Sequence, residues 1–320
     1  MLPSFSYIPV RSLDEAVDHL TGGDARIHAG GTDLLGCLRD GVLTATKVVS
    51  LSGLDELRGI RIEAGTAHIG ALTTIAEITA SPMLQQRWPG LTQAAGEVAS
   101  PQLRNQGTLG GNLCQKPRCW YYRGDFHCLR KGGPECFALD GQNQYHCIFG
   151  ESGCCIVHPS DTAPALIALG ARVHTSVGRD IDVEALFMSP ADDVTRETVL
   201  TPNEIITEVI VPTAPSYTSY RKVRARRSWD FALAGVALAL EMTGKNVRSG
   251  RVVLSGVAPI PWRATAVERV ITGASLDAAT IKRAAAAAVA GAQSLGNNGY
   301  KIPLVRGMIE EELTRAAAAA

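Results

Sequence analysis

Two stretches decide the fold: "IHAGGTDLL", residues 27–35, and "RNQGTLGGN", residues 104–112. Each carries a strand-like run into paired glycines and the start of a helix. Glycine has no Cβ, so backbone amides in such a turn can approach a phosphate, and the helix start adds partial positive charge. Thr32 adds a hydroxyl donor. Either turn alone is a common loop, and neither GxGxxG nor GxxxxGK[ST] occurs in it. Two such turns in one chain are more informative, because together they can clamp the two phosphates of one dinucleotide.

Working outward, "SLDEAVDHL" places Ser12 three residues before Glu15, the capping-box spacing, with Leu13, Val17 and Leu20 on one helical face. "KVVSLSGL" reads as a buried strand. These segments and the first glycine turn form one unit, residues 1–55. "GIRIEAGTAHIGALTTIAEI" alternates and then enters a helix after Thr73 and Thr74. "LTQAAGEVAS" is a further helix leading to the second glycine turn, and "HPSDTAPALIALGARVHTSV" reads as helix then strand. This second unit runs over residues 56–214. After "PTAPS" a third, residues 215–320, has one long strand-like run, "SYRKVRARRSWDFALAGVALALEM", and ends in two helices.

Hydrophobic residues make up 46% of the 320, and 31 basic residues balance 31 acidic ones. A neutral chain gives no electrostatic ground for nucleic acid or an anionic membrane as partner. No run approaches the ~18 apolar residues of a membrane span, and the N-terminus lacks a signal-peptide pattern. The expected compartment is the cytoplasm, or the periplasm only if the chain is exported with a partner.

Eight cysteines in a reducing compartment argue against a disulfide framework. All but Cys37 lie between Cys114 and Cys155, where both the 3.6 and the 2 period fail. A structureless stretch of that length, residues 114–155, implies an insertion organised by something other than apolar burial, and clustered thiols point to a metal or redox centre. Cys37 reads as a small buried apolar residue. Structural zinc prefers short C-x2-4-C pairs, which Cys119, Cys128 and Cys136 do not form.

The pair "AGGTDLL" and "RNQGTLGGN", with "HPSDTAPAL", "YRKVRARRSWDFALAGVA" and "GVAPIPWRA", resembles the flavin-binding medium subunit of the molybdenum hydroxylases, the family of xanthine dehydrogenase and carbon monoxide dehydrogenase. The resemblance covers essentially the whole chain. It implies an α+β fold: two FAD-binding subdomains of the vanillyl-alcohol-oxidase type, an α/β C-terminal domain, and an iron–sulfur loop inserted in the second subdomain. FAD lies between the first two subdomains. By matching motif, Ile27, His28, Ala29, Gly30, Gly31, Thr32, Asp33 and Leu34 hold it together with Thr108, Gly110, Gly111 and Asn112. Asp161, Lys222, Thr73 and Ser100 are further contacts. Asp161 is also what a helix N-terminus favours, and Lys222 also reads as an exposed strand lysine.

Most of that family lacks the insertion. The chain is similar to a minority that carries an extra [4Fe-4S] cluster there, including 4-hydroxybenzoyl-CoA reductase and certain bacterial aldehyde oxidoreductases. A cubane takes four thiolates. The resemblance assigns Cys119, Cys128, Cys136 and, four residues before His158, Cys154; Cys155 is the neighbouring alternative. Cys114 and Cys147 fall outside the set, His127 and His146 are surplus, and Trp120, Tyr121 and Tyr122 pack around the cluster. The resemblance further implies an electron-transfer role beside a molybdopterin-binding large subunit and a [2Fe-2S] small subunit, as a dimer of heterotrimers with a ferredoxin-like electron partner. The alternative is a stand-alone flavin oxidoreductase with a structural metal site, although no catalytic base constellation is visible.

Overall fold

The apolar segments pair into three separate sheets in the computed structural model, which describes residues 1–150 and 152–320; Glu151 of the insertion lies outside the described residues. The first sheet is parallel, with strands β1 (Ser6–Pro9), β2 (Ala25–His28) and β3 (Lys47–Ser50) in the order β1-β3-β2. Parallel neighbours need crossovers, supplied by the helices Leu13–Leu20 and Leu34–Arg39. Ser12 caps the first of these by accepting from the Glu15 amide at 3.2 Å. The Glu15 carboxylate accepts from the Arg11 amide at 2.7 Å, one residue earlier than a capping box requires. Ala16 and Leu20 bury against Val49, Leu51 and Leu54.

The second sheet is antiparallel: β4 (Ile60–Glu63), β5 (Thr66–Gly70), β6 (Arg172–Thr175), β7 (Asp180–Asp182) and β8 (Ile206–Val211), in the order β4-β5-β8-β6-β7. Its inward positions, Ala67, Ile69, Val173, Val209 and Val211, bury against the helices Ile75–Ala80, Pro89–Gly96 and Thr162–Leu169. The alternate positions carry polar side chains, and Glu208 accepts from Arg61 at 2.7 Å and pairs with His68 at 2.8 Å. That is the period-2 division of a half-covered sheet. Every residue of Thr162–Leu169 is buried, since this helix lies between the second and third sheets.

The third sheet holds β9 (Tyr217–Val223), β10 (Ala234–Thr243), β11 (Asn246–Ser255) and β12 (Trp262–Arg263), antiparallel in the order β12-β11-β10-β9. β10 is buried on both faces, with Ala237 and Ala239 in the core of the second sheet. Its Val236, Leu238 and Leu240 face the helices Thr265–Ile271, Ala278–Ala287 and Lys301–Ala319. The single long strand expected here is two strands. Residues 224–233 leave the ladder, because Asp230 takes the Arg226 amide and Trp229 adopts φ +52. The Trp229 amide donates to Ala99 carbonyl at 2.9 Å, which folds this loop over the edge of the second unit.

Among its described residues the inserted segment contains a single-turn helix, Trp120–Arg123, and a 3-10 turn, Leu129–Lys131, and no other helix or strand. It is nevertheless anchored by hydrogen bonds to the body. Arg130 donates to Val194 carbonyl at 2.6 Å and Arg196 carbonyl at 2.9 Å, and buried Lys301 donates to the carbonyls of Tyr145 at 2.9 Å and Gly256 at 2.6 Å. Asn298 Nδ2 donates to Cys147 carbonyl at 2.8 Å. A ligand is therefore not the sole organiser of the stretch, as its composition suggested. Among the described residues no helix is long and apolar enough to cross a membrane.

Trp88 is fully buried beside these helices and donates from Nε1 to Pro212 carbonyl at 2.7 Å. Trp88→Ala removes the ring and orphans that carbonyl, so it should lower stability by about 3–5 kcal/mol, measured as a shift of the denaturant midpoint.

Candidate cofactor site

The first glycine turn leaves β2 and runs directly against the second. A Cβ on Gly30 would stand 1.8 Å from Gln106 carbonyl oxygen, so the two loops meet backbone to backbone. Gly31 takes φ +70, a conformation that glycine adopts readily. The second turn is pinned to the end of β5: Leu109 amide donates to Thr73 carbonyl at 2.9 Å, Gly110 amide to Ala71 carbonyl at 2.9 Å, and Ile75 amide to Gly107 carbonyl at 2.9 Å. Thr108 Oγ1 accepts from the Gly111 amide at 3.2 Å.

Between the loops opens a cleft of about 520 Å³, within the usual range of small-molecule sites. Ile27, residues 29–34, Thr108, Gly110, Gly111, Asn112 and Asp161 line it. Among the described residues the amides of Gly30, Gly31 and Thr32 donate to no backbone carbonyl. Glycines whose Cβ would collide, unpartnered amides and an open cleft together fit a phosphate-bearing cofactor.

Four expected contacts turn elsewhere. His28 lies beneath the loop, its ring edge-on to Tyr7 at 5.8 Å, and burial lowers its pKa. Thr73 is fully buried and donates to Gly59 carbonyl at 3.0 Å. Ser100 Oγ accepts from the Leu103 amide at 3.4 Å as a helix cap. Lys222 is neither in the cleft nor exposed: its side chain is buried and pairs with Asp161 Oδ2 at 2.8 Å. Tyr220, two residues earlier on the same face of β9, donates to Asp161 Oδ1 at 2.8 Å. The period-2 spacing of "YRK" carried that signal. Burial raises the pKa of Asp161, opposed by Lys222 and Tyr220. Asp161 makes no helix-capping bond; Ser160 Oγ accepts from the Ala163 amide at 3.0 Å instead. Asn112 Oδ1 accepts from Ser160 at 2.6 Å and Thr162 at 2.7 Å, which joins the second loop to this helix start.

Asp33 faces the insertion. Its carboxylate pairs with Arg118 and Arg123, both at 2.8 Å, and accepts from the Lys116 amide at 2.7 Å. Burial would raise its pKa, but the two guanidiniums prevail and hold the carboxyl below its usual range. Arg123 also donates to Cys37 Sγ at 2.8 Å, and the Arg118 guanidinium covers Phe231 at 5.0 Å. Arg118 and Phe231 line the cleft, and sequence reading missed both, because only folding brings them there.

Beyond this ion pair, Cys119, Cys128, Cys136 and Cys154 line one small cavity together with Tyr121, Tyr122, Phe137 and His146. Cys155 turns away and packs with Cys147 and Ala138; Cys114 lines the larger cleft. None of the eight cysteines is in a disulfide. Burial pushes the Cys119 thiol up to about 12 and raises Cys154; Cys136 is raised first by its hydrogen bond with Cys155 and then by burial. Among the described residues no three His, Cys, Asp or Glu side chains converge closely enough to hold a single metal ion.

Residues 3–214 match the FAD binding domain in molybdopterin dehydrogenase, and residues 218–316 match the CO dehydrogenase flavoprotein C-terminal domain. The chain belongs to the FAD-binding medium subunits of the molybdenum hydroxylase family. Within that family it is 34% identical over 305 residues to the aldehyde oxidoreductase FAD-binding subunit PaoB of Escherichia coli, covering 92% of each chain. It is 28% identical over 327 residues to the carbon monoxide dehydrogenase medium chain of Hydrogenophaga pseudoflava, covering 98% of this chain and 97% of the relative. A solved structure of carbon monoxide dehydrogenase from that organism superposes with a TM-score of 0.78 at 28% identity, over 100% of this chain and 99% of the other. Like these medium subunits, the chain is an oxidoreductase component with a mixed α/β fold and an FAD-binding domain.

Gly30→Ala forces a Cβ into Gln106 and should part the loops, weakening flavin binding roughly ten- to a hundredfold, equivalent to about 1–3 kcal/mol, read from flavin absorbance at equal protein concentration. Because the folded-state pKa of Asp33 is depressed, its ion pairs stabilise the loop above the unfolded value of about 4 and are lost as pH falls through the lower folded value. Flavin release, followed by fluorescence, should rise as pH drops below that range, and Asp33→Asn should release flavin already at neutral pH.

Proposed function

We propose that the chain is the electron-transfer subunit of a heterotrimeric molybdenum-containing hydroxylase, dehydrogenase or reductase, holding FAD in the glycine-loop cleft and a [4Fe-4S] cluster in the thiol cavity. Its partners are a molybdopterin-binding large subunit and a [2Fe-2S] small subunit, assembled as a dimer of heterotrimers, with a ferredoxin-like protein as external electron partner. The observation that carries this reading is adjacency: the cleft and the cavity are joined through Asp33, whose carboxylate holds Arg118 and Arg123 on either side of Cys119.

Bound FAD supplies chemistry that exchanges electrons in pairs or singly, and a cluster exchanges them singly. The residues of the chain bind, orient and exclude water. The two glycine loops offer amides to the pyrophosphate. Asp161, held by Lys222 and Tyr220, presents a fixed carboxylate at the cleft wall. Tyr121, Tyr122 and Phe137 keep the thiol cavity apolar.

Four thiols around one cavity suit a cluster better than a single ion. Each thiolate of a cubane binds a different iron, so its ligands stand farther apart than those of one tetrahedral zinc. That difference is compatible with a cavity where no three donors converge on one point. The raised thiol pKa values also have a physical reading, since iron replaces the proton and offsets the charge that burial penalises.

The test is optical and analytical. The purified chain should show flavin bands over a broad cluster shoulder, with about four irons per chain; two or fewer irons, or zinc in their place, would sink the cluster. Cys154→Ala should lose the iron and keep the flavin, whereas Cys155, which hydrogen-bonds to Cys136 from outside the cavity, does not line it, and Cys155→Ala should keep both.

A further inference from the structure

His146 is surplus to a four-thiolate site, yet its side chain is buried against the thiols. It is 4% exposed and lines the same cavity as the four cysteines. Nε2 stands 3.2 Å from Cys119 Sγ, and Nδ1 is buried with no partner among the described residues. Trp120 meets the ring edge-on at 5.8 Å, and Tyr121 lies against it at 6.1 Å. The backbone on both sides is gripped from the C-terminal unit: Asn298 donates to the carbonyls of His146 and Cys147, and Lys301 to that of Tyr145. The His146 amide donates to Asn143 carbonyl at 3.0 Å. Four elements thus aim one imidazole nitrogen at one sulfur.

We infer that His146 is a positioning residue for the cluster: its Nε2–H donates to the Cys119 thiolate, fixes that ligand and raises the reduction potential of the cluster. This rests on the cluster reading above. A thiolate sulfur can only accept, so the tautomer that bonds to it carries its hydrogen on Nε2. The bare nitrogen is then Nδ1, which is not the nitrogen that meets Cys119, so in this arrangement His146 does not replace a cysteine as ligand. A donor at sulfur withdraws electron density from the iron–sulfur bond and favours the reduced, more negative cluster, one of the ways a protein sets such potentials. The other polar groups lining the cavity do not act on Cys119. The Arg130 Nη atoms donate to two carbonyls and to Glu197, and its remaining influence falls on a different sulfur, Cys154; Tyr121 accepts from the Gln142 amide at 2.6 Å.

The experiment is an EPR-monitored redox titration of the assembled protein, purified without oxygen, with iron counted in each sample. His146→Phe keeps an aromatic ring and removes the donor. Iron should stay at the unaltered level while the cluster potential moves to lower values. In His146→Gln the side-chain amide can reach the same sulfur, and much of the shift should be recovered. If the Phe protein does not accumulate, His146→Asn takes its place, because the shorter amide falls short of Cys119 and should show the lowered potential that Gln does not. Full iron with an unmoved potential in the donorless variant overturns the inference and leaves the cluster standing. Loss of iron in the Gln variant as well makes His146 a ligand, which also overturns it. No iron in the unaltered protein removes the cluster, and this inference with it.

Discussion

A missing side chain governs the architecture of the site. Because Gly30 has no Cβ, the turn after β2 can press its backbone against Gln106 and Gly107, and two loops far apart in sequence become the two walls of one cleft. Everything else around the cleft is arranged to keep that contact. The second loop hangs from the end of β5 by three backbone hydrogen bonds, and Asn112 ties it to the start of the helix Thr162–Leu169. That helix is buried on every side between two sheets, so the loop it anchors has little room to move.

The same constraint joins the cleft to the thiol cavity. Asp33 belongs to the first loop by sequence and to the insertion by contact, since its carboxylate pairs with Arg118 and Arg123 on either side of Cys119. A partly buried carboxylate with two guanidinium partners is strongly directional, and removing either kind of partner leaves an uncompensated charge. The insertion, poor in regular structure, is stapled to the rest of the chain by such polar contacts together with apolar packing, since Ile148 and Phe149 are buried in the core under the third sheet and Phe149 stacks on Trp262. Arg130, Asn298 and Lys301 all bond to carbonyls that no strand or helix would otherwise satisfy.

Much of the fold could be read from periodicity. The strands β2 and β3, the alternation through β4 and β5, the helix Thr162–Leu169 and the C-terminal helices follow from local apolar spacing. The long run from Ser219 to Met242 misled, because continuous β propensity does not reveal where charged residues peel away from a ladder. The site divided in a similar way. The glycine loops are legible because paired glycines at a strand-to-helix turn mark a backbone that must come close to another group. Thr73, Ser100, His28 and Lys222 sit in or beside the right motifs, yet the polar atoms of Thr73, Ser100 and Lys222 are taken up by Gly59, Leu103 and Asp161, and the His28 ring lies beneath the loop against Tyr7.

By itself, then, the sequence determined which segments become strands, helices and glycine turns, and that seven of eight cysteines share one stretch, because those properties rest on local backbone preference and chain order. Only the tertiary structure decided which side chains face which space. It turned Cys154 into the thiol cavity and Cys155 out of it, set Tyr220 and Lys222 behind Asp161, and aimed His146 at Cys119. Adjacent residues on an irregular backbone can point in opposite directions. Which direction prevails depends on packing partners such as Ala138, Asn298 and Lys301, which lie elsewhere in the chain and carry no mark of their role in the local sequence.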